Sequence, residues 1–136
     1  MRKYNFIGIL LLLFIVGCKK TPGEGGNSTI TGNIKVEMRL ILSNPNTIQD
    51  TLPAADKDVF IVYGNHMSPD DKVVTNYDGD FEFRNLRSGD YTIYVYSKDT
   101  SATGDILENK MPIIREIIIE GRKKTEKIEN LFIYDN

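Results

Sequence analysis

The chain has 136 residues, 40% of them hydrophobic and 26% charged, a balance that suits one folded core and excludes a disordered chain. Its 17 basic residues stand against 19 acidic ones, so the sequence lacks the concentrated basic surface that neutralises phosphates, and nucleic acid is excluded as a partner. One cysteine and one histidine leave no set of nitrogen and sulfur ligands for zinc and no disulfide framework.

The first element is the apolar run at residues 6–16, FIGILLLLFIV, behind Arg2 and Lys3. It is too short to cross a bilayer, which takes roughly 20 residues, and reads as a signal sequence. The run ends in Ile15-Val16-Gly17-Cys18, which resembles the lipobox of bacterial lipoproteins. A small residue before the cut admits a peptidase to the backbone, and the thiol is the soft nucleophile that takes up diacylglycerol as a thioether. The resemblance implies cleavage before Cys18, acylation of its freed amino group by a fatty acid such as palmitate, and attachment to a membrane. Two or three acyl chains hold firmly, because each buried methylene adds about 0.8 kcal/mol. Lys19, where an Asp would signal retention, implies by likeness to Gram-negative lipoproteins a cell-envelope address at the outer membrane. Loss of Arg2 and Lys3 with the signal leaves 15 bases against 19 acids, so the mature chain should not cling to anionic lipid by net charge.

Residues 19–28, KKTPGEGGNS, combine Gly, Pro and charge without hydrophobic period and read as a tether. The expected organisation is a signal peptide at 1–17, an acylated cysteine with a flexible linker at 18–28, and a folded domain at 29–136.

Within that domain the chain alternates with the period of strands. Ile30, Gly32, Ile34, Val36, Met38, Leu40 and Leu42 share one parity against Thr31, Asn33, Lys35, Glu37 and Arg39, which predicts a long strand buried on one face. NPNTIQDTLPAAD at 44–56 reads as turn formers. VFIVYG, KVVTNY, DFEFRNL, DYTIYVYSK, MPIIREIIIEG and TEKIENLFIYD follow as six more strand segments, with turn signals between them and no helical period. Seven antiparallel strands without helices predict an all-β sandwich. The run IIREIII at 113–119 is apolar on both parities, so it is expected to be covered on both sides or to face a partner.

The acidic stretch NYDGDFEF invites a calcium reading and fails it. An EF-hand loop needs Gly at its sixth place and Glu at its twelfth, but from Asn76 those places hold Phe81 and Arg87, and from Asp99 the twelfth is Lys110. An irregular calcium site would have to draw on Asp70, Asp71, Asp78, Asp80, Asp99 or Asp105; solvated carboxylates are the default. Asp78-Gly79 is instead the dipeptide of a two-residue hairpin loop, with Phe81 and Phe83 directed to the core.

From Thr75 the chain resembles carboxypeptidase-regulatory-like and other transthyretin-like (prealbumin-like) β-sandwiches, with Thr75, Asp78, Gly79, Phe81, Phe83, Leu86, Gly89, Tyr91, Ile93 and Val95 at the places of the pattern T-x-x-D-G-x-F-x-F-x-x-L-x-x-G-x-Y-x-I-x-V. AADKDVFIVYG and ITGNIKVEM are similar to the strands that precede it. The resemblance implies a fold, since these are turn and core residues. The hydrolases of that fold use His and Arg positions and a Tyr-Arg-Gly-Ser ending, whereas this chain has one His and ends in Ile-Tyr-Asp-Asn. His66, near Ser68 and Asp70 in a loop, makes a poor triad, because neighbours in a loop seldom converge.

The sequence therefore predicts no enzyme, no cofactor and no metal. If Tyr91, Ile93 and Val95 point inward, Thr92, Tyr94 and Tyr96 point outward and form a candidate contact surface for an envelope protein or a glycan. The expected role is a lipid-anchored, non-enzymatic binding or spacer module; the alternative is an accessory subunit of an outer-membrane secretion or glycan-uptake complex.

Overall fold

The computed structural model describes residues 21–39, 48–98 and 110–135, and these form nine strands and no helix. They are β1 (Glu24–Arg39), β2 (Ile48–Pro53), β3 (Asp58–Tyr63), β4 (Asp71–Val74), β5 (Asp80–Leu86), β6 (Gly89–Lys98), β7 (Lys110–Ile119), β8 (Thr125–Lys127) and β9 (Leu131–Ile133). Two sheets pack face to face. In the first, β1 is central, flanked on one edge by β5 and β2 in succession and on the other by β8 and β9; the second runs β4-β3-β6-β7. Ile30, Ile34, Phe81, Phe83, Leu131 and Ile133 of the first sheet meet Val59, Ile61, Tyr91, Ile93, Val95 and Ile119 of the second in one buried core.

The structure corrects the expected seven antiparallel strands in two ways. β2 occupies part of the stretch that reads as turn formers: Ile48–Pro53 pairs with the second half of β1, where backbone hydrogen bonding outweighs the weak strand propensity of its Asp, Gln and Pro. The final segment TEKIENLFIYD is two short strands that run parallel to β1, with Thr29 opposite Thr125 and Ile34 opposite Leu131. The chain gains one residue on the β8–β9 side between those pairs. The interruption lies at Ile128, which is buried and donates its N–H to the Thr31 carbonyl at 3.0 Å.

The Asp78-Gly79 turn is likewise one residue longer than the expected two-residue hairpin loop, and of the pair only Gly79 takes a positive φ. The Gly79 N–H donates to the Asn76 carbonyl at 3.0 Å and the Asn76 N–H to the Asp80 carbonyl at 3.0 Å, closing a three-residue loop. The Asn76 side-chain oxygen accepts the N–H groups of Asp78 and Asp80 at 3.0 and 2.9 Å. β4 and β5 then diverge into different sheets, so the turn is a corner between layers. Gly79 has φ +79°, and a methyl group there would lie 2.3 Å from the Ile34 carbonyl oxygen. Thr75, buried beside this corner, ties it to the β2–β3 connection by donating to the Ala54 carbonyl at 2.5 Å and accepting the Lys57 N–H at 2.9 Å.

Glu24 to Ser28 are strand residues, so half of the segment that reads as tether belongs to the sheet. Both Glu24 and Ser28 stand opposite Leu86, leaving Gly25, Gly26 and Asn27 as a bulge between them. Just ahead, Gly23 is pinned by Tyr91, whose hydroxyl accepts the Gly23 N–H at 2.9 Å and donates to the Arg87 carbonyl at 2.7 Å. The Gly23 carbonyl accepts the Arg87 N–H at 2.8 Å.

Candidate functional site

The outer face of the second sheet carries the most distinctive surface. Buried residues alternate along β6, so Tyr91, Ile93, Val95 and Ser97 face inward and Thr92, Tyr94 and Tyr96 face outward. On β3, Val59 and Ile61 are buried and Phe60 takes the outward place opposite Tyr94. The two rings stack at 5.0 Å with an interplanar angle of 14°. Tyr96 stands edge-on to both, at 5.5 Å from Tyr94 and 5.8 Å from Phe60. Across the other ladder, Ile114 lies opposite Tyr94 and Pro112 opposite Tyr96. Tyr96 is 44% exposed and Ile114 49%, so this aromatic and aliphatic surface lies open.

Charged groups border it. The Lys72 ammonium lies 6.0 Å from the Phe60 ring centroid and 3.1 Å from an Asp58 carboxylate oxygen. Phe60 and Tyr96 also line a cleft of about 430 Å³ whose remaining wall includes Lys110, Tyr134 and Asp135. The C-terminal segment closes this cleft, held by the Tyr134 N–H to Ser97 Oγ at 2.9 Å and by the Lys98 N–H to the Tyr134 carbonyl at 2.9 Å. Asp135 pairs with Lys57 and, at 3.6 Å, with Lys98, and these partners, Lys57 first, hold its carboxyl below the ordinary carboxylate range. Burial pushes the Tyr94 phenol up, with Tyr96 adding to the effect.

The structure thus brings Tyr94 and Tyr96 into one cluster and leaves Thr92 one row away, opposite Val62 and Glu116. Sequence reasoning missed Phe60. The parity of VFIVYG holds the signal, because Val59 and Ile61 inward leave Phe60 outward, but its neighbourhood with Tyr94 depends on the β3–β6 register.

The other candidates do not converge. His66 Nδ1 lies 2.7 Å from Asp70, whose second oxygen accepts the Tyr63 N–H at 2.7 Å; Ser68 is exposed in the same loop. Burial raises the Asp70 carboxyl, but the Tyr63 N–H and His66 outweigh it and hold it low. Asp80 accepts from the Asn33 side-chain amide at 2.7 Å. Among the described residues no three His, Cys, Asp or Glu side chains are placed to hold a metal ion. Cys18, Asp99 and Asp105 lie outside the described residues, and no helix among the described residues is long and apolar enough to cross a membrane. Ile113 and Ile117 are half-buried against the core, while Ile114 and Ile118 on the other parity of β7 stand exposed.

No family model matches the chain, and no curated protein does. Among solved structures the chain is similar to a crystal structure from Pseudomonas aeruginosa, of a protein named provisionally as carbohydrate binding, with a TM-score of 0.50 and 15% identity over 81% of this chain and 90% of that one. At that identity the likeness speaks to the fold, an all-β arrangement of two sheets.

Proposed function

We propose that the protein is a lipid-anchored, non-enzymatic module of the cell envelope, its sandwich of the transthyretin-like type, which binds a glycan on the outer face of its second sheet. The observation that carries this reading is the cluster of Phe60, Tyr94 and Tyr96 beside a cleft rimmed by Lys110, Tyr134 and Asp135. Sugar rings present C–H faces that lie against aromatic rings and hydroxyls that need donors and acceptors, and this surface offers both within one site. The provisional carbohydrate-binding name of the Pseudomonas protein supports the same direction. The lipobox-like Ile15-Val16-Gly17-Cys18 supports the anchor and the outer-membrane address.

The test is titration of neutral oligosaccharides followed by tyrosine emission, which is free of tryptophan interference because the chain has no Trp. Replacing Tyr94 and Tyr96 by Ala should weaken binding at least tenfold, about 1.4 kcal/mol, with little change in melting temperature. Binding that survives the double substitution would remove the aromatic face from the reading. Cys18→Ser should release the mature protein from membranes; retention there would remove the anchor.

A second reading, an accessory subunit of a larger envelope complex, is favoured by Ile114 and Ile118 on β7. They are 49% and 59% exposed on a terminal strand whose far edge has no partner among the described residues. Cross-linking in isolated membranes that yields one stable partner, lost on Ile118→Lys, would favour the subunit over the glycan module.

A further inference from the structure

The end of the sandwich where the chain enters it carries a cleft of about 400 Å³, lined in part by Gly25, Gly26, Asn27, Arg87, Ser88 and Arg122. The bulge that forms its floor is demanding. A methyl group at Gly26 would lie 1.9 Å from the Leu86 carbonyl oxygen, and one at Gly25 would lie 2.9 Å from a terminal guanidinium nitrogen of Arg87. Arg87 is therefore folded over the bulge, with its own backbone fixed through Gly23. The opposite wall is the 121–124 loop, GRKK, which is docked on the same bulge. The Lys124 N–H donates to Ser28 Oγ at 3.1 Å, and the Thr29 N–H donates to the Lys124 carbonyl at 2.8 Å.

The charge in this cleft is one-sided. None of its lining residues is a carboxylate, and neither Arg87 nor Arg122 forms an ion pair with one among the described residues. Glu24 lines a separate cleft on the other side of the bulge, with Asp71, Glu82 and Arg84. Lys123 and Lys124, both exposed, follow Arg122 in the same loop. Such an arrangement, on a protein whose overall balance is acidic, is a local exception.

We propose that this cleft binds a phosphate ester, held by the Arg87 and Arg122 guanidinium groups, and that the phosphate is that of a membrane lipid headgroup. Guanidinium groups match phosphate oxygens with paired hydrogen bonds, and the hydroxyl and amide side chains of Ser88 and Asn27 supply further donors. The membrane source rests on the anchor reading. Thr21, which also lines the cleft, is only three peptide units from Cys18, at most about 11 Å along the chain. An acylated Cys18 would hold the cleft against the headgroup layer, with Tyr94 and Tyr96 on the outer face of the second sheet toward the far end of β6.

The probe is the mature chain carrying Cys18→Ser, so that no acyl chain contributes. Inorganic phosphate should shift the backbone amide signals of Gly25 and Gly26 and the side-chain Nε–H signals of Arg87 and Arg122. Vesicles of phosphatidylglycerol should bind the protein, and vesicles of phosphatidylcholine should not. Arg87→Gln with Arg122→Gln should weaken both responses at least tenfold, and Arg122→Glu alone should do so without altering the fold, since the residue is exposed. Arg84→Gln with Arg115→Gln, elsewhere on the surface, should change neither. Phosphate shifts without vesicle binding would keep the phosphate site and overturn the lipid as its source. An absence of shifts, or vesicle binding that falls equally in both double variants, would overturn the site. None of these outcomes depends on whether Cys18 is acylated in cells, which the Cys18→Ser localisation experiment decides separately.

Discussion

Replacing Tyr91 by Phe isolates one hydroxyl at the point where the chain enters the fold. The ring is 1% exposed and packs edge-on against Tyr63 at 5.6 Å, and phenylalanine keeps that contact and the core volume. What is lost is the acceptor for the buried Gly23 N–H at 2.9 Å and the donor to the Arg87 carbonyl at 2.7 Å. A buried donor left without a partner costs about 1–3 kcal/mol, and the Gly23 N–H has no other acceptor among the described contacts. For a domain of this size about 2 kcal/mol lowers the melting temperature by roughly 8 °C. The more diagnostic effect is local. Amide exchange of Gly23 and of the Arg87 N–H bonded to its carbonyl should accelerate, while Ile93 in the centre of β6 should lose protection only to the extent of the global change. A melting temperature within about 2 °C of the parent, with Gly23 still protected, would refute the view that this hydroxyl fastens the chain entry.

Two further predictions concern the corner and the C-terminal segment. Gly79→Ala should destabilise by more than the roughly 1–2 kcal/mol of a left-handed alanine, because its methyl also meets the Ile34 carbonyl, whereas Gly121→Ala, at φ +89° with open space around it, should cost only the conformational part. Equal losses in denaturant titrations would count against the steric account. The Asp135 carboxyl is lowered in the fold, so its contribution is present above the ordinary value of 3.8 and is lost as pH falls below it through the folded value. Asp135→Asn should flatten the acid limb of stability against pH, and an unchanged limb would show that Lys57 and Lys98 do not depend on this carboxylate.

The elements most legible in the sequence are those whose residues alternate. Val59 and Ile61, Phe81 and Phe83, and Tyr91, Ile93 and Val95 all sit in the core where their parity puts them. Parity decides the face of a strand but carries no information about its neighbour. That is why the pairing of Phe60 with Tyr94, and the parallel course of β8 and β9 along β1, emerge only from the register. The Glu24 to Ser28 stretch was hidden for a different reason. Glycines and a charge are the composition of a tether, and it is the close backbone crossing of Gly26 with Leu86, which only a residue without a side chain permits, that draws them into the sheet. The candidate site was half visible: two tyrosines follow from alternation, while the cleft beside them depends on where the C-terminal segment with Tyr134 and Asp135 docks, which its strand signal does not state.

The central place of β1 also decides how the molecule bears force. Its 16 residues extend for about 50 Å, with the chain entering at one end of the sandwich and Asp135 closing the fold near the other. A pull on the entering chain, opposed by a load on the far end, slides β1 lengthwise against β5 and β2 on one edge and β8 and β9 on the other. The interstrand hydrogen bonds then share the load together, where peeling would break them one at a time. On the proposed anchoring, a load between membrane and ligand would run along the direction in which these strands resist most.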